Sequence, residues 1–248
     1  MSPDERHKIL EQAAEWFRTV IIPNHLKNTK KLVSAKEFDI NPFLTTYLAT
    51  FFDGEVSPES IARALMYPRV MGTSITTSFG TNMQSFISSV LKDSFGSMVS
   101  GIDIEFIDSF DGRRKYCQVK LGPNTINKDD VKTIHDHFKG ARSLSKTNNM
   151  AVALDDMVVA ILYGETGQES AHYKKLNIEY GYPVWIGADF WHRLTGDKDF
   201  YADLLQSIAN VATESNFANI LAATVAALSK TDEVQALAKL VPEQGTSE

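Results

Sequence analysis

Asp103, Glu105, Gln118 and Lys120 are the side chains whose types and spacing most readily do chemistry. In Ile102-Asp103-Ile104-Glu105-Phe106-Ile107 the acids Asp103 and Glu105 share one face of a strand, and the large apolar residues share the other. In Tyr116-Cys117-Gln118-Val119-Lys120, Gln118 and Lys120 share a face, with Val119 opposite. A polar turn at Asp111-Gly112 joins the two segments, so residues 101–127 read as a β-hairpin and its exit. Pairing the strands brings an acid, an amide oxygen and an ammonium together at one end of a sheet. Such a cluster can hold Mg²⁺ and polarise a water, which is what cleaving a phosphodiester requires. Alone, Asp-x-Glu is more often the wet face of an edge strand. The second half of the cluster at hairpin distance reverses that preference.

This hairpin resembles the active site of the PD-(D/E)xK nucleases, with Asp103 as the acid and Gln118-Val119-Lys120 as the second half-motif. Upstream, Tyr67-Pro68-Arg69-Val70-Met71-Gly72-Thr73-Ser74 and Phe79-Gly80-Thr81-Asn82-Met83-Gln84 look like the approach to the first core helix of that fold. Downstream, the run from Lys120 through Gly122-Pro123-Asn124-Thr125-Ile126-Asn127 to Asp130 resembles type II restriction endonucleases, particularly the PmeII-like group. The likeness extends from about Ser57 to Tyr201. It departs from the common pattern at Gln118, where a Glu is usual, so the motif is the QxK variant.

The resemblance implies an α/β fold, a mixed β-sheet core flanked by helices, with helical N-terminal and C-terminal extensions. It implies a Mg²⁺-dependent endonuclease that hydrolyses a short palindromic site in double-stranded DNA and leaves 5′-phosphates. It also implies a cognate DNA methyltransferase in the same restriction system. A subunit with one site must cut two antiparallel strands, so a twofold homodimer is expected. Two other readings stay open: a repair or mobile-element nuclease without palindromic specificity, and a catalytically inactive DNA-binding protein.

Within the cluster, Asp103 is expected to anchor the metal, with Gln118 as a neutral oxygen ligand. Lys120 either stabilises charge developing on phosphorus or helps deprotonate the attacking water. Glu105 either supplements the metal site or pairs with an arginine. Gln84 either backs the metal or is an exposed helix glutamine. Asn124, Thr125, Asn127 and Lys128, at a turn leading into a helix, are candidates for the DNA backbone, as are Arg113 and Arg114. Asp108 and Asp111 belong to the hairpin turn. His135 and His137 lie two apart on a helix and face different ways, so they read as surface or DNA-facing residues rather than joint ligands. Trp185, Phe190 and Trp191 read as core.

Positioning these groups requires a single nuclease domain over residues 1–248, divided into an N-terminal helical extension (1–66), the core (67–211) and a C-terminal helical segment (212–248). Helical spacing or start signals predict helices at Asp4–Val20, Pro42–Phe52, Pro58–Met66, Asn82–Lys92, Lys128–Phe138 and Phe200–Val211. Strands are predicted at Met157–Tyr163 and Pro183–Gly187, and a helical tail at Asn216–Leu240 whose apolar excess suggests a subunit contact. With 43% hydrophobic and 23% charged residues, the 248-residue chain has an ordinary globular composition. Its formal charge of −6 argues against a general nucleic-acid coat protein but allows a local basic cleft. The single cysteine, Cys117, excludes an intramolecular disulfide and a thiolate zinc cluster. The start carries no signal-peptide character and no apolar run reaches membrane length, so a cytoplasmic location is expected.

Overall fold

The structure is a computed structural model that describes residues 1–147, 152–214 and 216–241, and their side chains except those of Met83, Gln84, Asp93 and Ser94. Helices α1 (Pro3–Trp16), α2 (Ile22–Lys31), α3 (Pro42–Asp53), α4 (Pro58–Pro68), α5 (Ile75–Phe86) and α6 (Lys92–Phe95) precede strands β1 (Ile104–Ile107) and β2 (Arg114–Lys120). Then follow α7 (Lys128–Thr147), β3 (Met157–Ile161), α8 (Ala171–Ile178), β4 (Val184–Ile186), α9 (Ala188–Thr195), α10 (Phe200–Glu214), α11 (Phe217–Leu228) and α12 (Asp232–Leu240). Among the described residues no helix is long and apolar enough to cross a membrane. The predicted helices and strands are present, and the α/β class with a helix-flanked mixed sheet is the one observed. The helix opening at Lys128 runs on to Thr147, and the C-terminal tail breaks into two helices around Ser229 to Thr231.

The chain divides into two compact units, residues 1–16 with 83–210, and residues 17–82 with 211–248. The first unit carries the sheet, in order β1-β2-β3-β4, with β1 antiparallel to β2 and the remaining pairs parallel. Tyr116, Met157, Val159 and Ile161 pack one sheet face against Val131, Ile134 and Phe138 of α7 and Tyr173 and Leu176 of α8. On the other face Phe106 of β1 meets Trp185 and Phe190 edge-on, and Trp191 donates its indole N–H to the Leu162 carbonyl at 2.9 Å. Covering both faces explains why β3 reads as a continuous apolar run.

The second unit is helical. Ser57 caps α4 reciprocally with Ser60, and Pro58 opens the helix. Ile61, Met66 and Val70 form a core with Leu221, Val225 and Leu228 of α11 and Val234 and Leu237 of α12. The subunit contact expected on the C-terminal tail is therefore not supported at α11. Its large apolar positions turn inward, and its exposed positions include Ala218, Ala222, Ala223, Ala226 and Ala227.

The hairpin is fixed at its turn end by charge. The Lys115 side chain is 1% exposed, and its ammonium donates to Asp111 at 2.6 Å and to Asp156 at 2.9 Å. Arg113 pairs with Asp111, Asp155 and Asp156. Burial pushes the Asp111 carboxyl up, but hydrogen bonds from Lys115 and Arg113 outweigh it and bring the group to about 2 from an ordinary 3.8. A depressed folded-state value means that this contribution is complete above the unfolded value and is lost as pH falls through the folded one. Stability should therefore decline between about pH 4 and about pH 2. Lys115→Ala should cost about 3–5 kcal/mol in urea unfolding at neutral pH, because it leaves buried carboxylate surface without its main partner. It should also flatten the acid decline over that window.

Candidate active site

The Asp103 backbone enters the sheet just before β1, with its N–H donating to the Cys117 carbonyl at 2.9 Å. Its side chain then turns back onto β2, where Oδ2 accepts the Val119 backbone N–H at 2.9 Å. Val119 lies between Gln118 and Lys120, so the acid is pinned to the middle of the second half-motif. The other carboxylate oxygen, Oδ1, has no hydrogen-bond partner among the described residues. Burial pushes the neighbouring Cys117 thiol well up, and the Asp103 charge adds to that effect, so this buried cysteine stays a neutral thiol.

Gln118 is buried on the face that bears α7, and both of its amide hydrogens are used. Nε2 donates to the Gly101 carbonyl and contacts His137 Nδ1 at 2.7 Å. A carbonyl only accepts, so the atom facing Gly101 is the nitrogen, and Nδ1 of His137 must then be the second acceptor. The amide oxygen meets no protein donor among the described residues. Gly101 makes this approach possible. Its φ of +79° suits glycine, and a Cβ there would stand 2.5 Å from Cγ of His137.

The remaining candidates divide clearly. Lys120 is partly buried at the end of β2, and its ammonium has no ion pair or hydrogen bond among the described residues. Glu105 accepts from Ser97 at 2.6 Å through one oxygen and pairs with Arg114 at 3.2 Å through the other, so both oxygens are engaged. Arg113 and Arg114 are likewise tied to carboxylates. The loop after Lys120 is held from within: Tyr173 donates to the Gly122 carbonyl at 3.1 Å, and Thr125 does so at 2.8 Å. Burial raises the Tyr173 hydroxyl to about 12, which keeps it a donor. Asn127 accepts from the backbone of Asp129 and Asp130 and so caps α7, whereas Asn124 and Lys128 are exposed. His135 leans on Tyr180 and bonds Tyr182. Gln84 lies on α5, but its side chain is outside those described.

A comparison of the sequence with family models matches residues 27–216 to the type II restriction endonuclease EcoO109I family. The chain belongs to that family. No curated protein matches the chain. The match spans both half-motifs of the hairpin, α7 and all of the sheet, and it makes the protein a nuclease of a restriction system that acts on DNA.

For a member of this restriction endonuclease family, the hairpin donors can be tested against the Mg²⁺ that such enzymes generally use. One Asp103 carboxylate and the Gln118 amide oxygen are hard oxygen donors, and Mg²⁺ takes one or two carboxylates and completes its shell with water and phosphate. The donor set fits, though thinly: among the described residues no group of three or more His, Cys, Asp or Glu side chains is placed to hold a metal.

Sequence reasoning read His137 as a surface or DNA-facing residue, and it is exposed, but its contact with Gln118 and the role of Gly101 were missed. The available signal was the helical stripe. His137 sits three residues after buried Ile134 and four before buried Ala141, at the edge of the apolar face of α7. Gly101→Ala should lower stability by about 1–3 kcal/mol, through its positive φ and the collision with the His137 ring. Thermal unfolding measures the first effect, and a shift of the His137 ring resonances the second.

Proposed function

We propose that this chain is a Mg²⁺-dependent type II restriction endonuclease that cuts both strands of a short palindromic DNA site. In this reading Asp103 and Gln118 hold the metal and Lys120 faces the scissile phosphate. The observation that most supports it is the Asp103–Val119 hydrogen bond, which ties the anchoring carboxylate to the peptide between Gln118 and Lys120. Mg²⁺ bound there would supply Lewis acidity toward the phosphate. The Lys120 ammonium, without an ion pair among the described residues, can stabilise charge on phosphorus or draw the proton from the attacking water. A P–O bond to water forms, the P–O3′ bond breaks, and a proton reaches the leaving oxygen, giving a 3′-hydroxyl and a 5′-phosphate. Glu105 is assigned to its contacts with Arg114 and Ser97 rather than to the metal, because each of its oxygens already has a protein partner. Asn124 and Lys128, exposed beside the start of α7, are the better phosphate contacts. Thr125, Asn127, Arg113 and Arg114 shape the loop and the hairpin. A cognate methyltransferase in the same cytoplasmic system protects the host's own sites.

The decisive experiment incubates the purified chain with unmethylated phage DNA and Mg²⁺ and sequences the fragment ends. Discrete ends sharing a palindrome are expected. Ragged ends would favour the repair nuclease, and intact DNA the inactive binding protein. Asp103→Ala should lower cleavage by more than about a hundredfold while DNA binding persists. Near-normal turnover by the folded variant would remove the assignment.

A second copy of the chain is the partner this function needs, and α3 offers it a surface. Phe43, Leu44, Tyr47, Phe51 and Phe52 are each more than half exposed, Tyr47 stacks on Phe51, and Phe51 meets Phe52 edge-on. The helix carries no charge before Asp53, which suits an apolar self-contact better than phosphate. Sedimentation should give twice 27.6 kDa for the native chain. Tyr47→Glu with Phe51→Glu should give monomers that nick one strand weakly. A native monomer that cuts both strands in one encounter would overturn the arrangement.

A further inference from the structure

Gln118 differs from a carboxylate in having two unlike ends, so its usefulness as an oxygen ligand depends on which end is presented. We infer that His137 is a positioning residue, whose Nδ1 joins the Gly101 carbonyl in taking both amide hydrogens of Gln118 and leaves Oε1 as the atom offered to a divalent cation. This rests on the ligand role proposed above for Gln118.

The geometry carries the inference in three steps. Gly101 contributes an acceptor fixed by the backbone, and that acceptor decides which end of the amide is nitrogen. His137 contributes the second acceptor at 2.7 Å, so rotating the amide would break two hydrogen bonds and set an oxygen against two lone pairs. Finally, the imidazole is itself placed. It projects from the long helix α7 at the border of its buried stripe, and the bare Cα of Gly101 is what admits the ring. With Nδ1 accepting, the ring proton resides on Nε2. His137 thus orients a ligand without itself being one, as partners of metal ligands commonly do.

The test titrates Mn²⁺ into the full-length chain without DNA and follows the free ion by electron paramagnetic resonance, with thermal unfolding measured in parallel. His137→Ala should weaken Mn²⁺ binding about tenfold or more. His137→Asn should restore most of the affinity, because Oδ1 of Asn occupies nearly the place of Nδ1 and accepts the same hydrogen. His137→Gln, whose acceptor reaches the place of Nε2, should not. Native-like Mn²⁺ affinity in His137→Ala would overturn the inference. So would equal losses in the Ala and Asn variants, since a ring acting only as packing or as a DNA contact gives no Asn rescue of metal affinity. Gln118→Ala is the control that separates the two claims. If it leaves Mn²⁺ affinity unchanged, the ligand role of Gln118 fails and the positioning role with it. If it weakens binding while His137→Ala does not, only the positioning role fails.

Discussion

The Val119 backbone N–H points from β2 toward its antiparallel neighbour at a level where β1 has already ended, and a buried amide hydrogen left unmatched there is costly. Asp103 meets this need with its side chain: Oδ2 takes the place that a strand carbonyl would have filled. The same carboxylate is thereby held in one rotamer, with Oδ1 left without a protein partner among the described residues. A structural requirement of the sheet and a chemical requirement of the site are met by one hydrogen bond. Everything else at the hairpin preserves the register that brings Asp103 opposite this amide.

That register is guarded from the far end. A slip of one residue would exchange Gln118 and Lys120 for Val119 on the α7 face, so the pairing of Ile104 with Cys117 and Ile107 with Arg114 has to be unique. The buried Lys115, held between Asp111 and Asp156, ties β2 both to its own turn and to the start of β3. Fully buried Asp108 pairs with Arg193 at 2.8 Å, and that guanidinium lies against the rings of Phe110 and Trp185. Each pair is well made only if both strands enter the turn in phase. Buried ion pairs add little net stability, but breaking one is costly, which makes them better guards of register than sources of stability.

What the sequence made legible follows the same division between local and distant causes. Ser57 before Pro58 and the alternation around Asp111-Gly112 are local rules, and they produce α4 and the hairpin where expected. The helix opening at Lys128 was expected to stop at Phe138, ahead of Gly140. It continues because buried Ala141 extends the apolar stripe past that glycine. The return of residues 211–248 to pack with 17–82 leaves no local mark, because each helix needs only an apolar face and any partner would satisfy it. The partners of Glu105 were hidden for a related reason. Alternation puts it on the same face as Asp103, but Ser97, from the segment before β1, and Arg114 across the hairpin decide its use. The candidate donors could be named from the sequence, whereas the contacts that hold them could not.

Gln118 is where this matters most for chemistry. If the amide were a lesion in a site made for glutamate, its surroundings would still suit a carboxylate and would offer donors. The Gly101 carbonyl is an acceptor whatever its partner and would repel a carboxylate oxygen placed there, while His137 Nδ1 accepts from the amide that is present. The neighbourhood is therefore complementary to an amide, and this counts against the reading of a decayed enzyme. The substitution also changes the electrostatics. With Glu105 paired to Arg114, the Asp103 carboxylate and the Lys120 ammonium are without an ion-pair partner among the described residues. A cation bound there draws little attraction from protein charge alone, and an approaching DNA phosphate meets little repulsion. On the proposed mechanism, the phosphate then supplies the missing negative ligand, so metal and DNA should each bind more tightly in the presence of the other. Coupling of that kind assembles the complete donor set only when the substrate is in place.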